Sequence, residues 1–165
     1  MAVTNRKMEY IERMRLKLGH ERILIPATAV AVLNRKQEVL LHLRNDSTHW
    51  GLPGGLMDLG ETVVECAQRE TREETGLSVR NLKLYGIFSG PRFENTYPSG
   101  DQTAPVILGF FTEDYEGELV TSEEALRLGF FPLGALPEQM NRFHRVFVET
   151  FVEYRSRGAA FPITL

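Results

Sequence analysis

Residues 55–77 read GLMDLGETVVECAQRETREETGL, and the register of that stretch governs the reading of the whole chain. Thr62 and Glu65 stand at the Thr-x-x-Glu spacing of a capping box, in which each side chain satisfies a backbone N–H at a helix start. The helix is therefore expected to begin near Val63. Gly76, a residue free to take the left-handed conformation, ends it near Thr75. From Asp58 to Glu74 the chain carries six acids and two arginines, a local charge of −4 in a chain whose net charge is −3. The acidity is concentrated in one helix and the loop that leads into it.

At about 100° per residue, Glu70, Glu73 and Glu74 share one face of that helix. An acidic helix is ordinarily a solvated surface. Here the same face continues towards the N-terminus through Val63, Cys66 and Ala67, which are small or apolar and suit packing against the protein body. Carboxylates turned inward need counter-charge, and Arg69 and Arg72 are too few for three close glutamates plus Glu61. A hard divalent cation, Mg²⁺ or Mn²⁺, fits oxygen-only ligands of this kind, and the chain has no His or Cys cluster to favour a softer metal. Arg69, beside Glu70 and four residues before Glu73, either orients one of them or forms an ordinary surface ion pair. Gly54 and Gly55 either make a simple turn or bring backbone carbonyls close enough to join a metal shell.

Outward from this helix, residues 23–33 (ILIPATAVAVL) read as a nearly continuous buried central strand, with Pro26 marking a bulge or edge. A turn at 34–37 leads to a second strand, Glu38–Arg44, so a hairpin is expected. Residues 6–18 form a short amphipathic helix with Tyr10, Ile11, Met14 and Leu18 on one face. β-like runs at 78–90 and 104–113 flank a polar loop. A long helix spans about 138–155, with Phe143, Val146, Phe147, Thr150, Phe151 and Tyr154 at helical spacing. Strands and helices mix without βα alternation, which favours an α+β fold with a mixed sheet.

The 165 residues suit one domain able to bury its own core, and the composition is ordinary, 42% hydrophobic and 25% charged. A net charge of −3 gives no reason to expect nucleic-acid or membrane-surface binding. The single cysteine, Cys66, excludes an internal disulfide and fits a reducing compartment. Residues 1–19 lack the apolar stretch of a signal peptide, and no apolar run reaches the roughly 18 residues of a spanning helix. A cytoplasmic location is the expectation.

At these residues the chain resembles a known family. Gly55-x5-Glu61-x7-Arg69-Glu70-Thr71-x-Glu73-Glu74-x-Gly76-Leu77 is similar to the Nudix box, G-x5-E-x7-R-E-U-x-E-E-x-G-U, at every fixed position. Thr71 occupies a slot where bulkier aliphatic residues are common. The upstream LLHLRNDSTHWGLPGG also resembles the strand that leads into the box. The resemblance implies an α/β/α sandwich around a mixed sheet, with the box as a loop–helix–loop metal site. It further implies one domain over 1–165, comprising an N-terminal helical extension at 1–20, the box at 55–77 and a C-terminal helix at 137–157.

The activity implied is Mg²⁺- or Mn²⁺-dependent hydrolysis of a phosphoanhydride in a nucleoside diphosphate linked to another moiety, such as ADP-ribose, a nucleotide sugar or a nucleoside triphosphate. By position, Glu70, Glu73 and Glu74 resemble the metal-binding glutamates, and a carbonyl of Gly54 or Gly55 would join the shell. Arg69 would orient a carboxylate and Glu61 would support the site. Glu124, favoured over Glu123, sits where members place a further acid, a metal ligand or base. Arg44 is a candidate for phosphate, or else a solvated strand-end arginine. Trp50, Phe93 and Tyr97 are candidates for base stacking, or else packing residues. Pro91, 15 residues after Gly76, resembles a proline of ADP-ribose-cleaving members. His42, His49 and His144 are scattered and receive no role. A small-molecule nucleotide is the implied partner, and a homodimer is a family-level expectation. The alternative is a catalytically idle Nudix-like module that senses nucleotides or binds a partner.

Overall fold

A computed structural model describes residues 10–97, 99–158 and 162–165. Its elements are α1 (Tyr10–Leu18), β1 (Ile23–Val32), β2 (Glu38–Arg44), β3 (Trp50–Gly51), α2 (Val63–Thr75), β4 (Ser78–Arg80) and β5 (Lys83–Phe88). A 3-10 turn (Pro91–Phe93) then precedes β6 (Asn95–Thr96), β7 (Gln102–Thr112), β8 (Asp114–Glu116), β9 (Ala125–Pro132), α3 (Arg142–Arg157) and β10 (Ile163–Thr164). The main sheet runs β1-β7-β5-β10, with β6 added to β7. β1 lies parallel to β7 while β5 is antiparallel to it, so the sheet is mixed. β3-β2-β9 form a second, antiparallel sheet, and β4 pairs with β8.

The layers follow from the alternation within β1. Ala29 and Ala31 enter one core with Leu41, Tyr85, Phe88, Phe147 and Phe151, beneath α3. Val30 and Val32 enter another with Leu40, Ala67, Leu77, Val79 and Phe110, beneath α2. A strand apolar at successive positions buries both faces, and the helices on either side complete an α/β/α sandwich. Each large side chain so buried contributes about 1.5–3 kcal/mol.

β1 departs from the central position expected of it, because among the described residues β7 is its single strand partner. Its other edge is covered by the loop before α2. Thr28 N–H donates to Gly55 O at 2.9 Å, Val30 N–H to Pro53 O at 2.8 Å, and Met57 N–H to Pro26 O at 3.1 Å. Pro26, which has no N–H to lose, sits on that edge as an acceptor. The expected β1–β2 hairpin is also corrected. The Asn34 turn forms, with its side-chain oxygen accepting from Lys36 N and Glu38 N, but pairing stops at the single bridge Leu33↔Val39. β2 then leaves for the second sheet and pairs with β9 from Glu38↔Pro132 onwards. β9 was not anticipated, because its burial follows no clean two-residue alternation.

α1 lies within the expected 6–18, whose first four residues fall outside the described ones. Tyr10, Ile11 and Met14 are half-buried, and Leu18 is exposed. α3 starts at Arg142, later than expected, because the Asn141 side chain accepts from Phe143 N and His144 N and caps it there. Among the described residues no helix is long and apolar enough to cross a membrane.

Candidate active site

α2 is built as its sequence dictates. Thr62 Oγ1 accepts from Glu65 N at 3.2 Å, and Glu65 Oε2 accepts from Thr62 N at 2.7 Å. Gly76, at φ 78°, closes the last turn. Thr71 is fully buried and donates its hydroxyl to Ala67 O at 2.7 Å, as Thr75 does to Thr71 O at 2.6 Å. That back-bonding explains how a hydroxyl tolerates an otherwise aliphatic position.

The three glutamates of the shared face differ in depth. Glu73 is largely exposed, with its side chain 61% accessible. Glu70 is mostly enclosed, and burial, ahead of all other influences, raises its pKa. Glu74 is 4% exposed, and burial pushes it up to about 8, offset in part by the Gly54 N–H that donates to its Oε2 at 2.8 Å. The glycines make this approach feasible. A Cβ on Gly55 would stand 2.6 Å from the Glu70 carboxylate. A Cβ on Gly54, whose φ is 143°, would stand 2.2 Å from Thr28 O.

Arg69 ties the face together. Its Nη1 donates to Glu70 Oε1 at 2.7 Å and to Glu73 Oε2 at 3.3 Å. Its Nε and Nη2 grip Glu61 at 3.0 and 2.7 Å, and Nη2 also donates to Leu56 O. Glu61 further accepts from Asp58 N at 2.7 Å, and its contact with Arg69 holds its pKa below the ordinary range.

The donor set is carboxylate and carbonyl oxygen, which suits Mg²⁺ or Mn²⁺. Among the described residues no three His, Cys, Asp or Glu side chains converge into a ready-made metal cluster. The charge is instead met by Arg69, which contacts Glu61, Glu70 and the exposed Glu73. Gly55 O is already an acceptor for Thr28, while Gly54 presents its N–H to Glu74.

Of the residues beyond the helix, Glu124 is brought to the site. Asn45 N–H donates to Glu124 O at 2.9 Å and Asn45 Nδ2 to Glu123 O at 3.1 Å, pinning that loop to the end of β2. The Glu124 charge is close enough to raise both Glu70 and Glu74. Arg44 is held by Asp46 through two bonds of 2.9 and 2.7 Å, within electrostatic reach of Glu74 and Tyr97. Tyr97 is 42% exposed and Pro91 is exposed. Trp50 is half-buried, edge-on to Phe131 at 4.9 Å with Arg127 over its ring. Phe93 is a correction to the stacking expectation. Its ring, 1% exposed, lies among Phe88, Phe143 and Phe147 as part of the core.

Sequence reasoning passed over the histidines. His42, fully buried on β2, points Nδ1 at Glu74 Oε1 from 3.8 Å. His144 of α3 accepts Leu52 N–H at Nδ1, 2.9 Å, and burial, ahead of the nearby Arg44 and His42, pushes its pKa down. The available signal was positional: His42 is the one polar residue inside VLLHL and shares its strand face with Arg44.

The NUDIX domain profile matches residues 24–151. The chain belongs to the Nudix hydrolase family. An ADP-ribose pyrophosphatase of Methanocaldococcus jannaschii is 35% identical over 119 residues, 70% of this chain and 67% of that protein. A putative 8-oxo-dGTP diphosphatase of Bacillus subtilis is 42% identical over 66 residues, 40% of this chain and 44% of that one. The chain thus spans about two thirds of the first relative and less than half of the second. The crystal structure of a MutT NUDIX hydrolase from Burkholderia pseudomallei superposes with a TM-score of 0.64 at 24% identity, covering 78% of this chain and 98% of that one. The Nudix fold accounts for the mixed sheet between α2 and α3 and for the box as a loop–helix–loop.

Proposed function

We propose that this chain is a divalent-cation-dependent pyrophosphohydrolase acting on a nucleoside diphosphate joined to a second group, with ADP-ribose the first candidate. One observation carries the reading. Glu70, Glu73 and Glu74 lie on one helix face, with Glu74 seated on the Gly54 N–H, Glu70 against Gly55, and Glu124 within electrostatic reach. The relative matched over the longer stretch is named for ADP-ribose, and the one matched over the shorter stretch for 8-oxo-dGTP, which makes a nucleoside triphosphate the second candidate.

Glu70, Glu73 and Glu74, with a carbonyl of Gly54 or Gly55, would hold the cation. A bound Mg²⁺ or Mn²⁺ supplies charge neutralisation for the phosphate oxygens and makes coordinated water more acidic. Arg69, clamped by Glu61, keeps the glutamate face ordered. Glu124 or Glu70 takes the proton of the attacking water, Arg44 meets a phosphate, and Tyr97 lies beside it for the nucleoside or the second group. Water adds to one phosphorus, the bridging P–O bond breaks, and both products leave as phosphate-ended groups.

The test is a product screen with Mg²⁺ over ADP-ribose, nucleotide sugars, dinucleoside polyphosphates, nucleoside triphosphates and coenzyme A, beside a Glu73→Gln control. Turnover of one class, lost in the control, supports the reading and names the substrate. Silence from folded, cation-binding protein would replace it with a nucleotide-sensing module.

A further inference from the structure

His42 is a core polar side chain near the site that the proposed chemistry does not use. It is fully buried, and among the described residues neither ring nitrogen has a hydrogen-bond partner. An imidazole left unpaired in a core is destabilising, so a fold that retains one has a use for it. Its Nδ1 faces Oε1 of Glu74 at 3.8 Å, just beyond hydrogen-bond range, and Glu74 is itself buried. The other oxygen of Glu74 is fixed by Gly54 N–H at 2.8 Å. The Leu52 backbone is a further polar neighbour of the ring, near enough to favour its protonated form. Leu52 in turn is tied to α3, its N–H donating to His144. The ring therefore has the Leu52 backbone and the Glu74 carboxylate as polar neighbours.

We propose that His42 is a positioning residue for Glu74, donating from Nδ1 to Oε1 when that carboxylate carries the cation and so fixing the orientation in which it binds. The proposal rests on the cation-site reading given above. Gly54 and His42 then hold one oxygen each and leave a second lone pair on both for the ion, the arrangement by which outer hydrogen bonds orient metal-ligating carboxylates. The closure needed is small, from 3.8 Å to ordinary hydrogen-bond length, and an ionised Glu74 attracts an imidazole N–H.

Mn²⁺ titration of the chelator-stripped protein, followed by electron paramagnetic resonance, tests this in wild type, His42→Leu and His42→Gln, with thermal melts in EDTA alongside. His42→Leu is expected to bind Mn²⁺ about ten-fold more weakly. It should melt no lower than wild type, since an unpaired buried polar group has been replaced by an apolar one. His42→Gln, which keeps a donor, should recover most of the affinity. Wild-type affinity in His42→Leu overturns the proposal, and so does equal weakness in both variants. Failure of the wild type to bind Mn²⁺ at all overturns the cation-site reading and this inference with it.

Discussion

Glu74→Gln should stabilise the cation-free protein while abolishing its response to cation, a pairing that few residues could produce. In the fold the carboxyl is raised from its ordinary 4.5 to about 8, with burial as the leading cause. Taken at face value, that disfavours the buried anion by about 4–5 kcal/mol at about 1.4 kcal/mol per pKa unit. Side-chain relaxation and water entry reduce such penalties, and about half, roughly 2 kcal/mol, is the figure expected at pH 8. The substitution keeps what the carboxylate was doing locally. The new amide oxygen still accepts Gly54 N–H, and the amide NH₂ can donate to the unpaired Nδ1 of His42.

For a chain of this length about 1 kcal/mol moves Tm by roughly 2–4 °C, so Glu74→Gln should melt roughly 4–8 °C above wild type in EDTA at pH 8. Excess Mg²⁺ or Mn²⁺ should raise the wild-type Tm by mass action on the folded state and leave the variant unmoved, narrowing or reversing the order. Circular-dichroism melts of both proteins, with and without cation, give the four numbers needed. A variant that melts below wild type in EDTA would refute the buried-charge argument. A variant that gains as much as wild type from cation would refute the assignment of Glu74 as a ligand.

Glu73→Gln should lower kcat by orders of magnitude with little change in Tm, since its side chain is 61% accessible; turnover near wild type would remove Glu73 from the site. In EDTA, stability should fall from about pH 6.5 to 8, by about 1.4 kcal/mol per pH unit, because Glu74 keeps a proton in the fold that the unfolded chain has lost. Cation should flatten that limb. His42, held near 4 by burial, acts with the opposite sign: the unfolded chain takes up a proton below about 6.5 that the fold refuses. The two oppose one another between 4.5 and 6.5, so urea titrations above pH 6.5 isolate the Glu74 effect. Tyr85→Phe should stabilise by about 1 kcal/mol in urea denaturation, since its hydroxyl is buried without a partner among the described residues. Gly54→Ala should destabilise by at least roughly 2 kcal/mol, because its Cβ would stand 2.2 Å from Thr28 O, and it should weaken cation binding as well.

What was legible in the sequence was whatever local chemistry decides. The capping box, the Gly76 stop and the shared face of Glu70, Glu73 and Glu74 depend on neighbours within one or two turns, and all three are present as read. The β1–β2 hairpin failed because a turn fixes only its nearest bridge, whereas the choice of sheet was settled by β9, some ninety residues away in sequence. Phe93 and Tyr97 illustrate the same limit at the site. Both are aromatics in one polar loop, yet the 3-10 turn at Pro91–Phe93 sends the first into the core and leaves the second outside. The histidines were illegible for a related reason. His42 and His144 are about a hundred residues apart, and nothing local to either announces that β2 and α3 bring them near one another. Glu124 is expected from family position alone, and what holds it within electrostatic reach of Glu70 and Glu74 is Asn45, whose backbone and side chain pin the loop that carries it. The helix thus supplies the charges, while the Gly54-Gly55 loop seats Glu74 and Glu70 and the second sheet brings His42 and Arg44 towards Glu74. Depth is what separates Glu74, Glu70 and Glu73, three chemically identical side chains on one face.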